Sequence, residues 1–398
     1  MGKNKKLFSK ELTETHDIYR IFGIKFAVRD KKREYEETKA STYIQDTLDL
    51  SRLQNSKKII VFLTPANAKI NGGVMSIFSL CQTTREICND AYCILSTYPN
   101  GKTYVINDKF YNNEKVLRFG QIVNNAKNIE ELILHIPDYY ADDFYKDLKE
   151  QDLQFLKSIQ NLQLNIMNQN IELMPEPEDL KDLYKLTDNI TQTVAHNRNA
   201  TQEVCNKWNI PTHLCSVSID LSKYRTYSFE EKEKNIVISP DLHESKEIIL
   251  NKIEQFFPDW KLITIDNVTF THYIDLVARS YFTITFGEGM DGYFNQPIYV
   301  GSLGFSTYND YFFPNKSWND LRNVYSSYGE MLEKICDDIN DLSTNKNLYY
   351  QTIQEHLQKS NEIYKVSDYI SNIERFYKKE YDFYPQIKER NVNEFSHI

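Results

Sequence analysis

An α/β fold of parallel strands and covering helices, divided between two domains, is predicted by three observations. Short apolar runs at 236–238, 262–265, 282–286 and 298–300 alternate with segments of helical period, the pattern of strands buried on both faces by helices. The chain has 398 residues, more than one core ordinarily organises. Three of the four runs end in polar or glycine clusters: Ser239-Pro240-Asp241 with Lys246, Asp266-Asn267, and Gly287-Glu288-Gly289. Open parallel sheets bind ligands outside the carboxyl ends of their strands, so these clusters mark the edge on which a site is expected.

Composition narrows the class. Hydrophobic residues make up 41% of the chain and charged residues 26%, enough for real cores beneath a soluble surface. A net charge of -9 argues against nucleic acid as the main partner, which would call for a basic balance. Cys81, Cys88, Cys93, Cys205, Cys215 and Cys336 are scattered without metal-ligand spacing and read as buried thiols of a reducing compartment. No apolar run reaches membrane-spanning length, and the opening residues lack the apolar centre of a signal peptide. A cytoplasmic protein is expected.

Residues 1–50 are expected to form a helical, basic N-terminal extension. Ile18, Ile21, Phe22 and Ile24 lie among Arg20, Lys25, Arg29, Lys31, Lys32 and Arg33. That arrangement suits a peripheral contact with anionic lipid of the inner membrane, but a terminal helix packed on its own domain is the plainer reading. The first domain is placed at 51–220. It opens with an apolar strand at 57–65, an Asn/Gly-rich turn at 68–73, a helix carrying Val74, Ile77, Phe78, Cys81 and Ile87, and a second strand at 91–97. The pattern repeats with strands at 131–137 and 162–169 around one long or two short helices, then a proline-started helical stretch at 173–185, a strand at 190–195 and a helix after Thr201. The join falls within 216–234, which is polar, charged and aperiodic. The second domain is placed at 221–345, and 346–398 reads as C-terminal helices, most clearly over 348–379.

Three segments carry a resemblance: INGGVMSIF at 70–78, VAHNRNATQEVCNKWNIPTHL at 194–214, and GEGMDGYFNQPIYVGSLGFSTYNDYFF at 287–313. Over roughly residues 57–338 the chain resembles the GT-B glycosyltransferases that build bacterial surface polysaccharide. The resemblance implies a GT-B fold, two Rossmann-like domains facing across a cleft, with final helices returning toward the first domain. It implies a hexosyltransferase-like enzyme with a nucleotide-sugar donor on the C-terminal domain, a glycan or lipid-linked glycan acceptor mainly on the N-terminal one, and no cofactor beyond that substrate.

A diphosphate is well held by helix amino ends and a cation. Ser239 and Lys246 flank the start of one helix, and Gly287 and Gly289 precede another. Gly72 and Gly73 open the first helix of the first domain, where a backbone can approach a ligand, although a tight turn explains them as well. His196 and Arg198 lie in a polar loop after a strand and are candidate cleft residues. Asp138, just beyond the strand holding His135, is a candidate base, as is His196; His135 itself reads as a packed histidine. Glu288, between two glycines directly after a buried strand, exposes a carboxylate at the sheet's edge, with a helix-cap role as its alternative. The resemblance implies that it opens the E-x7-E motif of retaining enzymes. The second position is here Gln296, whose amide can still bond ribose hydroxyls. Neither His243, Glu244 and His272 nor any carboxylate pair has metal-ligand spacing, so metal independence is expected, with retention the preferred outcome. A sugar-nucleotide 2-epimerase and a noncatalytic glycan- or nucleotide-binding protein are the alternatives. A NAD-dependent dehydrogenase is disfavoured because neither domain has G-x-G-x-x-G after its first strand.

Overall fold

The computed structural model describes residues 8–12, 16–21, 24–29, 50–65, 72–101, 115–266 and 268–386, with side chains from residue 50 onward. Internal contacts divide the chain into two units. The first takes residues up to 108 with 112–135 and 143–162, and the second takes 109–111, 136–142 and everything from 163. The turn at 68–71, Asn267 and the basic run at 31–33 lie outside the described residues.

In the first unit, β1 (Phe8–Leu12), β2 (His16–Ile21) and β3 (Ile24–Arg29) form an antiparallel sheet where the sequence reading expected a helix. Ile24, Phe26 and Val28 recur at period two in β3, a strand pattern that the surrounding charge obscures. A short helix α1 (Leu50–Asn55) leads into β4 (Lys58–Thr64). Then come α2 (Gly72–Ile87), β5 (Tyr92–Thr97), β6 (Val116–Leu117), α3 (Phe119–Asn125), β7 (Glu131–Pro137), α4 (Ala141–Asp147) and α5 (Glu150–Ser158), of which the end of β7 and the start of α4, residues 136–142, belong to the second unit. β4 pairs in parallel with β5 and β7, and Ile59, Ile60, Phe62 and Leu63 are fully buried. Helix α2 buries Val74, Ile77, Phe78 and Cys81, the i, i+3, i+4, i+7 stripe of a helix laid on a sheet.

The second unit contributes β8 (Asn161–Asn168), β9 (Ile190–Val194), α6 (Gln202–Trp208) and β10 (Thr212–Leu214). The strand order of this sheet is β10-β9-β8-β7-β4-β5-β6. The stretch read as helical after Pro177 is a 3-10 helix, Pro177–Lys185. A second parallel sheet of order β12-β11-β13-β14-β15 follows: β11 (Glu233–Ile238), β12 (Lys261–Thr264), β13 (Ser280–Ile284), β14 (Leu303–Thr307) and β15 (Val324–Tyr325). Its helices are α7 (Lys246–Phe256), α8 (Phe270–Arg279), α9 (Gly292–Tyr299), α10 (Tyr328–Thr344), α11 (Lys346–Asn361) and α12 (Val366–Tyr377). Ile236 and Ile238 pack with Ile249 and Ile253 of α7 and Met331 and Ile335 of α10. Val237, between them, packs instead with Ile274 and Val277 of α8. The alternation of one strand thus feeds two cores, as a sheet covered on both sides requires.

The apolar run at 298–300 is not a strand. It ends helix α9, and the strand is Leu303–Thr307. Asp291 caps α9 by accepting from the Phe294 amide at 3.1 Å, Phe294 and Ile298 are buried on one face, and Pro297 supplies no ladder donor. Gly301, at φ 75°, turns the chain into β14.

Helix α11 ties α9 in place through a buried polar network. Asn295 Nδ2 donates to the Asp291 carbonyl at 3.2 Å, and His356 meets Asn295 Oδ1 at 3.4 Å and Asn323 Nδ2 at 3.0 Å. The tail folds back on β10, where Thr212 and Phe383 exchange backbone hydrogen bonds of 2.9 and 3.0 Å. Asp382 takes the Leu214 amide at 2.8 Å and Arg375 at 2.8 Å, and lies 3.0 Å from His213 Nδ1. Burial works against ionisation of Asp382, but these partners hold its carboxyl well below the usual range.

Candidate functional site

The polar groups converge where strands of the second unit end. Asp138 follows β7 and is 1% exposed. Its Oδ2 accepts from the Gln169 and Asn170 amides, each at 2.8 Å, and its Oδ1 accepts from the Tyr139 amide at 2.8 Å. Burial raises its pKa while these amides pull it back. The loop it grips follows β8 and is held again by His196, which follows β9. The His196 ring bonds the backbone of Gln169, and burial lowers its pKa to about 4, so the imidazole is neutral at pH 7. Its ring meets Phe312 edge-on at 5.3 Å.

From this loop, Asn170 Nδ2 donates to Glu288 Oε1 at 3.1 Å. Burial, helped by Asp291, Asp241, Glu172 and Asp138, pushes the Glu288 carboxyl up to about 7. The turn bearing it needs glycine at 289 and leaves little room for a side chain at 287. A Cβ on Gly287 would lie 2.8 Å from an Asp241 carboxylate oxygen, and one on Gly289, at φ +87°, would lie 2.5 Å from the Thr307 carbonyl. Two residues on, Asp291 accepts from the Thr285 hydroxyl as well as capping α9. Burial pushes its pKa up to about 6 against the pull of Thr285, and Asp241 adds to the push.

Lys246 opens α7 with its ammonium turned back onto the strand end. It donates to the Ser239 carbonyl at 2.6 Å and the Asp241 carbonyl at 2.8 Å, and lies 5.4 Å from the centre of the Phe286 ring. Burial lowers its pKa and Asp241 opposes this. Ser239 is fully buried, and its hydroxyl accepts from the Phe286 amide at 3.0 Å, joining the ends of β11 and β13. Tyr328 stacks on His243 at 3.7 Å and lies parallel to Phe286 at 6.0 Å.

The residues singled out from sequence therefore fall into distinct places. Glu288, Asp138 and His196 meet through the loop at 169–170. Ser239, Lys246 and Gly287 lie about Asp241 at the ends of β11 and β13, while Gly289 turns against Ser306 and Thr307 at the end of β14. Arg198 pairs with Asp310 at 3.2 Å. Gln296 packs along its own helix against Gly292, where a Cβ would meet its amide carbon at 3.1 Å. Gly72 and Gly73 begin α2 in the first unit, with open space where a Gly72 Cβ would stand. Sequence reasoning missed Asn170 and Asp291. An aspartate directly before an apolar helical run is a legible cap signal, whereas nothing local distinguishes Asn170. Among the described residues no cluster of three or more His, Cys, Asp or Glu side chains is placed to hold a metal, and no helix is long and apolar enough to cross a membrane.

Such a site offers a carboxyl poised between its two protonation states near neutral pH, a buried acid beside it and an ammonium at the next strand end. It can orient hydroxyl groups and answer developing charge. No family model matches the chain, and no curated protein matches it in sequence. Solved structures do match in fold. An α-glucosyltransferase in complex with UDP and a 13-mer DNA containing an HMU base is similar at a TM-score of 0.52 with 9% identity, covering 79% of this chain and 100% of that one. Sucrose-phosphate synthase from Thermosynechococcus elongatus is similar at 0.50 with 8% identity, covering 81% of this chain and 99% of that one. The two larger sheets are parallel and helix-covered, and the architecture is GT-B-like, two Rossmann-like α/β domains.

Proposed function

We propose that the chain is a cytoplasmic, retaining, metal-independent glycosyltransferase that moves a sugar from a nucleotide-sugar to a surface glycan or lipid-linked glycan. The observation carrying this reading is the half-buried Glu288 carboxyl just after β13, raised to about 7 and held on a turn whose left-handed residue, Gly289, only glycine fits. In this reading Glu288 faces the donor sugar, and its ionised form offsets positive charge growing on the ring. Lys246 and the amino end of α7 lie toward the diphosphate. Asp138 positions the loop at 169–170 instead of acting as a base, because backbone amides already occupy its oxygens. Gln296, Arg198, Gly72 and Gly73 remain donor-side candidates.

The test is nucleotide release from UDP-, GDP-, dTDP- and CMP-sugars with and without glycan acceptors, in EDTA. Acceptor-dependent release is expected, rising with pH through about 7 as Glu288 ionises. Glu288→Gln should slow it about ten- to a thousand-fold and abolish that pH limb. Wild-type kinetics in this variant, or activity that returns only with manganese or magnesium, would overturn the proposal. A sugar-nucleotide 2-epimerase is the second reading. It is favoured by the Glu288 carboxyl, raised to about 7, which suits removal and return of a proton at one carbon. Interconversion of the sugar without an acceptor would select it.

A further inference from the structure

We infer that Asn170 is a positioning residue for Glu288: its side-chain amide, anchored through the backbone clamp of Asp138, fixes the Glu288 carboxylate and favours its ionised form. The inference rests on the reading of Glu288 as the working carboxylate and adds the device that holds it.

The direction of the Asn170 amide is set by its own loop. Its Oδ1 accepts from the Glu172 amide at 2.9 Å, so the oxygen is committed and the Nδ2 end, which only donates, is the end presented to Glu288 at 3.1 Å. The backbone beneath is equally constrained. One buried oxygen of Asp138 takes two successive amides, those of Gln169 and Asn170, and His196 holds Gln169 from the end of β9. A loop without regular secondary structure thereby gains three fixed points, enough to aim a short side chain.

The groups facing Glu288 from the surrounding elements are acidic. They are Asp291 at the start of α9, Asp241 after β11, Glu172 after β8 and Asp138 after β7, with the Tyr364 phenol between α11 and α12 also in its field. The four carboxyls each disfavour the carboxylate form of Glu288. Asn170 does the opposite, since a donor bonded to the charged form stabilises that form.

The experiment is a carbon-13 titration of glutamate side-chain carboxyls in the full chain, with the Glu288 signal assigned by its disappearance in Glu288→Gln. Asn170→Ala removes the donor and should move the Glu288 midpoint upward by about half to one pH unit. Asn170→Asp keeps an acceptor for the Glu172 amide, and so keeps the turn, but sets a like charge against Glu288. Its midpoint should rise further, with a modest loss of thermal stability at neutral pH from the added like charge. A Glu288 midpoint unmoved in Asn170→Asp would overturn the inference, and because that variant preserves the turn, misfolding of Asn170→Ala would not obscure the result. The titration needs no turnover. A shifted midpoint without a matching shift in the pH dependence of nucleotide release would uphold the positioning and refute the catalytic reading of Glu288.

Discussion

Lys246 illustrates how much a single residue can be asked to do. Two of its ammonium protons bond the Ser239 and Asp241 carbonyls, and an ammonium has three to give, so one remains for a ligand. Lys246→Ala should weaken nucleoside diphosphate binding by about 1–3 kcal/mol and also lower the thermal midpoint, because two carbonyls lose a donor. Calorimetry showing unchanged affinity in the folded variant would remove the lysine from the diphosphate site. Residues of this kind differ in how far sequence exposes them. Glu288 was legible because glycines on both sides of a carboxylate after an apolar run imply a constrained turn. Asn170 was not, because its role depends on Asp138 and Glu288, both distant in sequence, and no local pattern encodes where two strand ends will meet.

At the scale of elements, periodicity located the strands buried on both faces and the helices with a clean stripe. It failed where both signals were weak. The run at 298–300 looked like a strand because Pro297 and the short length of α9 hide its helical period, and β3 was masked by the basic residues interleaved with its apolar ones. Helix α9 also shows what a cap contributes. Asp291 satisfies the Phe294 amide and takes the Thr285 hydroxyl, yet it crowds Asp241 and Glu288. Asp291→Ala should destabilise the protein by about 1–2 kcal/mol in urea unfolding. Asp291→Asn, which can still cap, should cost less and should lower the Glu288 pKa by removing a like charge. Equal losses in the two variants would mean that the cap is not what Asp291 supplies.

For the whole molecule, pH acts through two opposed sets of groups. Burial holds His135 and His356 at about 3 and His196 at about 4, all below the ordinary histidine value near 6.5. Between those values and about 6.5 the unfolded chain binds more protons, so their contribution is present above pH 6.5 and lost on acidification. Glu288 and Asp291, raised to about 7 and about 6, run the other way: they cost stability at neutral pH and release that cost as they protonate. The urea midpoint should therefore fall gently between about pH 6.5 and 4.5, where three histidines outweigh two carboxyls, and more steeply below, as Asp382 and Glu330, held low by their partners, also protonate. Glu288→Gln should steepen the upper part of that fall. A midpoint that rises steadily on acidification to pH 4 would contradict this balance.

The pairing of Phe383 with Thr212 has a consequence for association between molecules. β10 is the outermost strand of its sheet, and an uncovered outer strand presents unpaired amides and carbonyls to any extended chain that meets it. The tail occupies part of that strand with the molecule's own backbone, and the Asp382 contacts with Leu214, His213 and Arg375 pin it there. A chain truncated after residue 380 keeps α12 but loses this cover. It should form larger species in sedimentation velocity as concentration rises, beyond any seen with the full chain, and identical sedimentation of the two would show that the tail does not guard the strand.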